Sequence, residues 1–293
     1  MTSNLEKSTH SVDLERVDTA TFRSALKGSI DQFAFLVIRN AIAPERIRTQ
    51  FELMERSIKT LNEMVENSGP DILVIGEPEQ NEKKQAKRIR KQKKILGVGQ
   101  IEERTCNALL NFSLFDVLKD QPVAEHLAFL LKDFEISRYA HSRRVAALNR
   151  QVGSTHSGID MHFDALYHDA LRFGINLWVP LTPAGKEGFP GLGFILKPPI
   201  DIFAGAGVRP EAPRKEVCNP ERVKELFDSS QAAMKLVPEL NVGDVVAFTN
   251  WSLHFSDVQE AHTGTRHSLE LRYECHSMWH QFFDQPARLS EKA

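Results

Sequence analysis

Apolar residues in the first half of the chain recur at helical spacing, while those in the second half come in short bursts. The first burst, Phe33 to Ile38 in "DQFAFLVIRNAIAPERI", reads as a strand. Pro44 then suits the first position of a helix, and Ile47, Phe51, Met54, Ile58 and Leu61 follow at steps of three and four. A mostly helical texture is predicted to about residue 135. From about Arg143 the runs "RVAALNRQV", "LRFGINLWVPL", "GLGFILKPP", "DVVAFTN" and "RHSLELRYE" are β-type, punctuated by Pro, Gly, Asn and Asp as a sandwich or barrel requires. One helix interrupts them, with Asn219 as its N-cap and Pro220 in its first turn. No repeat and no Gly- or Ser-rich linker divides the chain. A single α+β domain over residues 1–293 is expected, helical to about 135 and all-β from about 136 to 280.

Composition narrows the function. With 293 residues, 41% hydrophobic and 26% charged, the chain can bury a large core and has an ordinary globular balance. A formal net charge of −2 argues against a nucleic-acid partner. No apolar run approaches the roughly 18 residues of a membrane span, and "MTSNLEKSTHSVDLERVD" lacks a signal-peptide core. Cys106, Cys218 and Cys275 are far apart without CxxC spacing, so reduced thiols and a cytoplasmic location are expected. One segment stands apart: eight basic residues lie between Lys83 and Lys94, with Ile89 the one large apolar side chain among them. It reads as a solvated helix face or a mobile loop, with an attraction for an anionic substrate as the alternative.

Candidate chemistry concentrates in "MHFDALYHDALRF", where His162, Asp164, His168 and Asp169 lie within eight residues. On a strand, residues two apart share a face, so His162 and Asp164 can reach one point. His168 shares that face only if the strand continues, and "ALYHDALRF" has no alternation to support that. Ninety residues after Asp164 comes "VGDVVAFTNWSLHFSD", a Gly243-Asp244 turn and a strand with His254 just past its end. Twelve residues further on, Arg266 and Ser268 share one face of a last strand, and His267 points to the other. Two histidines and a carboxylate form the facial triad of a non-haem Fe(II) site, which leaves three positions open. Arg266 can clamp a carboxylate bidentately, and Ser268 can add a hydroxyl donor. Arg272 lies on the same face and competes for that role, but Glu270 offers it a structural ion pair. Trp178 and Trp251 read as sandwich core, and Arg138, Arg143, Arg144 and Arg150 as exposed edge charges. His156 and His262 read as surface or supporting residues.

The order HxD, distant His, then RxS resembles the Fe(II)- and 2-oxoglutarate-dependent oxygenases, and within them the phytanoyl-CoA dioxygenase-like branch. "FAFLVIRNAIAPERI" resembles that branch's opening strand, turn and helix. "INLWVPLTPAGKEGFPGLGFILKPP" is similar to its central strand pair, and "GDVVAFTNWSLH" to the lead-in to its distal histidine. The family's turn after the central strands has no clear counterpart in "LKPPIDIFAG", and residues 65–135 match nothing in the family. The resemblance implies a double-stranded β-helix, or jelly roll, with N-terminal and flanking helices. It also implies Fe(II) held by His162, Asp164 and His254, with 2-oxoglutarate and O2 as cosubstrates and Arg266 on the far carboxylate of 2-oxoglutarate. The implied reaction hydroxylates an unactivated C–H of a small molecule, anionic if the basic run attracts it, with succinate and carbon dioxide as coproducts. Asp164 stands where the family's halogenases lack a carboxylate, so the resemblance implies no halogenation. The alternative is a non-catalytic, cupin-like jelly roll that binds a metal or ligand.

Overall fold

Strands β2 (Phe35–Arg39), β5 (Arg172–Pro180) and β8 (Val245–Thr249) are buried on both faces over most of their length, and β10 (Thr265–Met278) buries Arg266, Ser268, Leu269, Leu271 and Tyr273. Such strands must be covered on two sides, which dictates a layered arrangement. The computed structural model describes residues 11–13, 34–68, 115–118, 134–136, 141–146, 159–167, 172–209 and 217–278, with a few isolated positions between them. The basic run from Lys83 to Lys94 lies outside the described residues, as do Arg138, Arg150, His156, His168 and Asp169.

The larger sheet runs in the order β1 (Ser11–Asp13), β2, β8, β5, β10 and β3 (Phe134–Ile136), with β4 (His141–Ala146) on the same edge of β10 as β3. Its pairings are antiparallel except for β1 on β2. The smaller sheet runs β7 (Lys235–Leu236), β6 (Gly191–Ile195), β9 (His254–Asp257), again antiparallel.

Alternation sorts the larger sheet's side chains into two cores. Leu36, Ile38, Ile175, Leu177, Ala247 and Leu271 form one with Ile47 of helix α1 (Pro44–Ser68). The intervening residues Phe35, Val37, Trp178, Val246 and Phe248 form the other with Leu192 and Phe194 of β6. Phe35 stacks on Phe194 at 4.2 Å, and Phe194 meets Phe248 edge-on at 5.3 Å, so the two sheets are packed through this second core.

Two short helices, α2 (Pro199–Gly205) and α3 (Pro220–Ser230), brace the chain near the candidate site. Trp251 stacks on Phe163 at 5.0 Å and takes Phe203 of α2 edge-on at 5.1 Å, while Phe163 meets Phe227 of α3 at 5.8 Å. Asn219 caps α3 as expected, accepting from the Glu221 and Arg222 amides. Asn219→Ala should therefore cost about 1 kcal/mol, read as a lower urea midpoint at unchanged m-value. Gly243 turns the chain into β8 at φ +104°, where a Cβ would come within 2.8 Å of the Ile42 carbonyl. Buried Asp244 completes that turn by accepting from Arg39 Nη1 at 2.7 Å and from the Asn241 amide at 2.9 Å.

β2 forms over the expected strand, whereas β1 and β3 lie in stretches without a strand expectation and join the same sheet. The strand expected from Arg144 begins at His141, in a register set by Glu270↔His141 and Thr265↔Ala146 on β10, and residues 147–152 of that run lie outside the described residues. Both differences arise from long-range pairing, which no local periodicity encodes. Among the described residues no helix is long and apolar enough to cross a membrane.

Candidate metal centre

The segment around His162 is not a strand but meets β9 at a single antiparallel bridge. The His162 amide donates to the His254 carbonyl and the His254 amide to the His162 carbonyl, each at 2.9 Å. Residues exchanging both bonds project side by side from one face, and the two imidazole centroids lie 4.3 Å apart. The chain then turns, and Asp164 opens a single 3-10 turn (Asp164–Leu166) anchored by the Ala165 amide on the Asn250 carbonyl at 2.9 Å. His162 and Asp164 thus converge through a bridge followed by a turn, not through the alternation of a continuous strand. His254 begins β9 instead of trailing β8.

All three side chains are buried, and their ligand atoms lie within 4.8 Å of one another. Nδ1 of His162 lies 2.7 Å from the Asp160 carbonyl, and Nδ1 of His254 lies 2.9 Å from the Ser252 carbonyl. A carbonyl only accepts, so each Nδ1 carries a proton and Nε2 is the ring's remaining ligand atom. Burial, helped by neighbouring His254, lowers the His162 pKa to about 4, so the ring is neutral near pH 7. Burial pushes the Asp164 carboxyl up, but Arg272 and then His254 more than offset it, so the group stays below its ordinary value. Two imidazoles with Nδ1 turned to carbonyls, beside an ionised carboxylate, form a donor set that fits a divalent metal.

The triad opens into a cavity of about 310 Å³ between the sheets, whose wall also includes Trp178, Ser256, Arg266, Glu270 and Arg272. Arg266 is 1% exposed. Its guanidinium lies 5.2 Å from the Trp178 ring, with Nη1 on the Gly191 carbonyl and Nη2 3.4 Å from Ser256 Oγ. The buried Trp178 Nε1 finds no acceptor among the described residues. A buried cation beside an orphaned N–H fits a carboxylate-bearing cosubstrate in this cavity. Ser268 lies on the same strand face, fully buried, and its Oγ has no partner among the described residues.

No family model matches the chain, nor does any curated protein. Solved structures do. AviO1 from Streptomyces viridochromogenes Tue57 is 13% identical over 87% of this chain and 96% of that one, with a TM-score of 0.46. The non-heme alpha ketoglutarate dependent carbocyclase SnoK from nogalamycin biosynthesis is 12% identical over 92% and 88%, with a TM-score of 0.48. HygX from Streptomyces hygroscopicus, with nickel and 2-oxoglutarate bound, is 12% identical over 86% of each chain, with a TM-score of 0.46. At such identities the chemistry rests on the residues of this chain itself.

Of the residues singled out in the sequence, His162, Asp164, His254 and Arg266 all reach one cavity. His267 lies edge-on to Phe51 of α1 at 5.0 Å, on the face opposite Arg266. His262 accepts from the Gln259 amide at 3.1 Å and serves a turn. Trp251 is core as expected, whereas Trp178 is both core and cavity wall. Arg272 makes the expected contact with Glu270 at 3.2 Å, but it also reaches Asp164 Oδ1 at 3.1 Å. Asn176 and Ser256 were not singled out. A signal was available for the β10 residues: Arg266, Ser268, Glu270 and Arg272 are polar at every second position opposite an apolar face.

The depressed His162 pKa makes the metal-free protein acid-sensitive. Between the ordinary value near 6.5 and the folded value of about 4, the unfolded chain binds the extra proton. Urea unfolding should show stability level above about pH 6.5 and falling as pH drops towards 4. Saturating divalent metal should raise the whole curve and carry the fall below about pH 4, because bound metal keeps the proton off Nε2 in the folded state only.

Proposed function

We propose that this chain is an Fe(II)- and 2-oxoglutarate-dependent dioxygenase that hydroxylates an unactivated C–H bond of a small molecule, with succinate and carbon dioxide as coproducts. The observation that carries the reading is the buried His162–Asp164–His254 cluster, with both Nδ1 atoms turned to carbonyls, in one cavity with buried Arg266. The facial triad leaves three coordination positions for cosubstrate and oxygen. Arg266 offers its guanidinium to the distal carboxylate of 2-oxoglutarate, with Ser268 as a second donor. Bound iron and cosubstrate supply the oxidising chemistry when dioxygen is present. The residues of the chain hold the ligands in their neutral or ionised forms, orient the cosubstrate and keep bulk water from the cavity. Two facing sheets with the site between them support reading the fold as a double-stranded β-helix, and the whole chain as one oxygenase domain. Three widely separated cysteines support a reducing, cytoplasmic setting.

The test is spectroscopic first. Anaerobic protein with Fe(II) and 2-oxoglutarate should develop the weak visible charge-transfer band of the chelate. Small acids, amino acids and acyl conjugates are then screened for substrate-dependent succinate release. Bound Fe(II) with no band, and no succinate above the uncoupled background with any candidate, would leave a metal-binding jelly roll without oxygen chemistry.

A further inference from the structure

The carboxylate of Asp164 is held from the larger sheet at both oxygens. Oδ2 accepts from Asn176 Nδ2 at 2.6 Å, and Oδ1 accepts from Arg272 Nη2 at 3.1 Å. Oδ1 is also the oxygen that faces His162, with Nε2 at 3.8 Å. The same Nη2 of Arg272 reaches Glu270 Oε2 at 3.2 Å, so one nitrogen bridges the two carboxylates. Asn176 and Arg272 are direct cross-strand partners in the β5–β10 register, and Asn176 and Arg272 project from one sheet face towards the cavity. The two imidazoles, by contrast, come from the β9 side of the site.

We infer that Arg272 is a positioning residue of the metal centre: with Asn176 it fixes the Asp164 carboxylate so that a single oxygen is presented to the two imidazoles. Glu270 in turn holds Arg272. The proposal rests on Asp164 being a metal ligand. A carboxylate on a 3-10 turn has two freely rotating torsions, and a lone ligand there would spread over several rotamers. Donors at both oxygens remove that freedom before the metal arrives. Asn176 occupies Oδ2, so the carboxylate binds through one oxygen and leaves the neighbouring coordination position open. Outer-shell partners of this kind typically change metal affinity by about 10–100-fold when removed.

The probe is Co(II), added to the purified full chain and followed by titration calorimetry and its visible d–d absorption. Arg272→Gln should weaken Co(II) binding by about 10–100-fold and alter the d–d envelope. Arg272→Lys, which keeps a cation near Oδ1, should recover most of the affinity. Glu270→Gln should lose a smaller part of it, because Arg272 is then less firmly held. A purely structural ion pair would lower the melting temperature in Arg272→Gln but leave Co(II) affinity and spectrum unmoved in the folded fraction, and that result overturns the inference. If Arg272→Gln does not fold, Asn176→Ala and Glu270→Gln decide the matter: wild-type affinity in both rejects the proposal. His254→Ala separates the two levels. Loss of Co(II) binding there, with normal binding in the Arg272 and Asn176 variants, defeats only the positioning role. Normal binding in His254→Ala as well defeats the metal-site reading itself.

Discussion

His162→Ala, Asp164→Ala and His254→Ala should each abolish Fe(II)-dependent turnover of 2-oxoglutarate while the protein stays folded. Each removes one of only three protein ligands, and the affinity of a three-ligand site does not survive the loss of one. Folding should survive because the His254 ring, 4.9 Å from Phe248, is a minor member of the packing between the two sheets. That work falls to Phe35, Phe194 and Phe248 on one side of the larger sheet and to Phe163 and Trp251 beneath the site. Removing the buried Asp164 carboxylate also takes from Arg272 one of its carboxylate partners, so Asp164→Asn is the milder companion variant. Fe(II) binding by anaerobic titration, melting curves and succinate release check the three parts. His168→Ala and Asp169→Ala should retain measurable activity. Iron binding that disappears in His168→Ala but persists in His162→Ala would reverse the assignment of ligands within "MHFDALYHDALRF".

Arg266→Ala should raise the 2-oxoglutarate requirement steeply. A buried bidentate charge pair left half-made costs roughly 3–5 kcal/mol, which corresponds to a loss of between about a hundredfold and several thousandfold in cosubstrate affinity. Iron binding should be nearly unchanged, since the Arg266 guanidinium is directed at Gly191, Ser256 and Trp178. Arg266→Lys keeps the charge but loses the planar fork and its stacking on Trp178, so its cosubstrate affinity should fall in between. Saturation of the anaerobic charge-transfer band by 2-oxoglutarate reads the affinity directly, without a substrate. An unaltered requirement in Arg266→Ala, with a large change in Arg272→Ala, would transfer the clamp to Arg272. In the arrangement seen here Arg272 is engaged with Asp164 and Glu270, so its removal should act on the metal instead.

Helix α1 and the strands of the second half were legible from local pattern, because burial on one or two faces leaves a period of 3.6 or a short apolar run in the chain. The cap at Asn219 and the turn at Gly243-Asp244 were legible for a similar reason: each is a short-range backbone requirement met by a specific residue type. The pairing of an HxD with a distant histidine and an RxS was also visible, since ligand chemistry restricts which side chains can serve. Geometry was another matter. Tertiary structure alone decided that His162 and His254 exchange backbone hydrogen bonds, that Asp164 sits on a turn, and that β1 joins the larger sheet. It alone set the β5–β10 register that places Asn176 opposite Arg272, and so made Arg272 a partner of Asp164 as well as of Glu270. Such contacts depend on which strands meet and in what register, and a slip of one residue would turn Arg272 to the other face. Local sequence carries the alternation but not the register, because register is chosen by the summed packing of both cores.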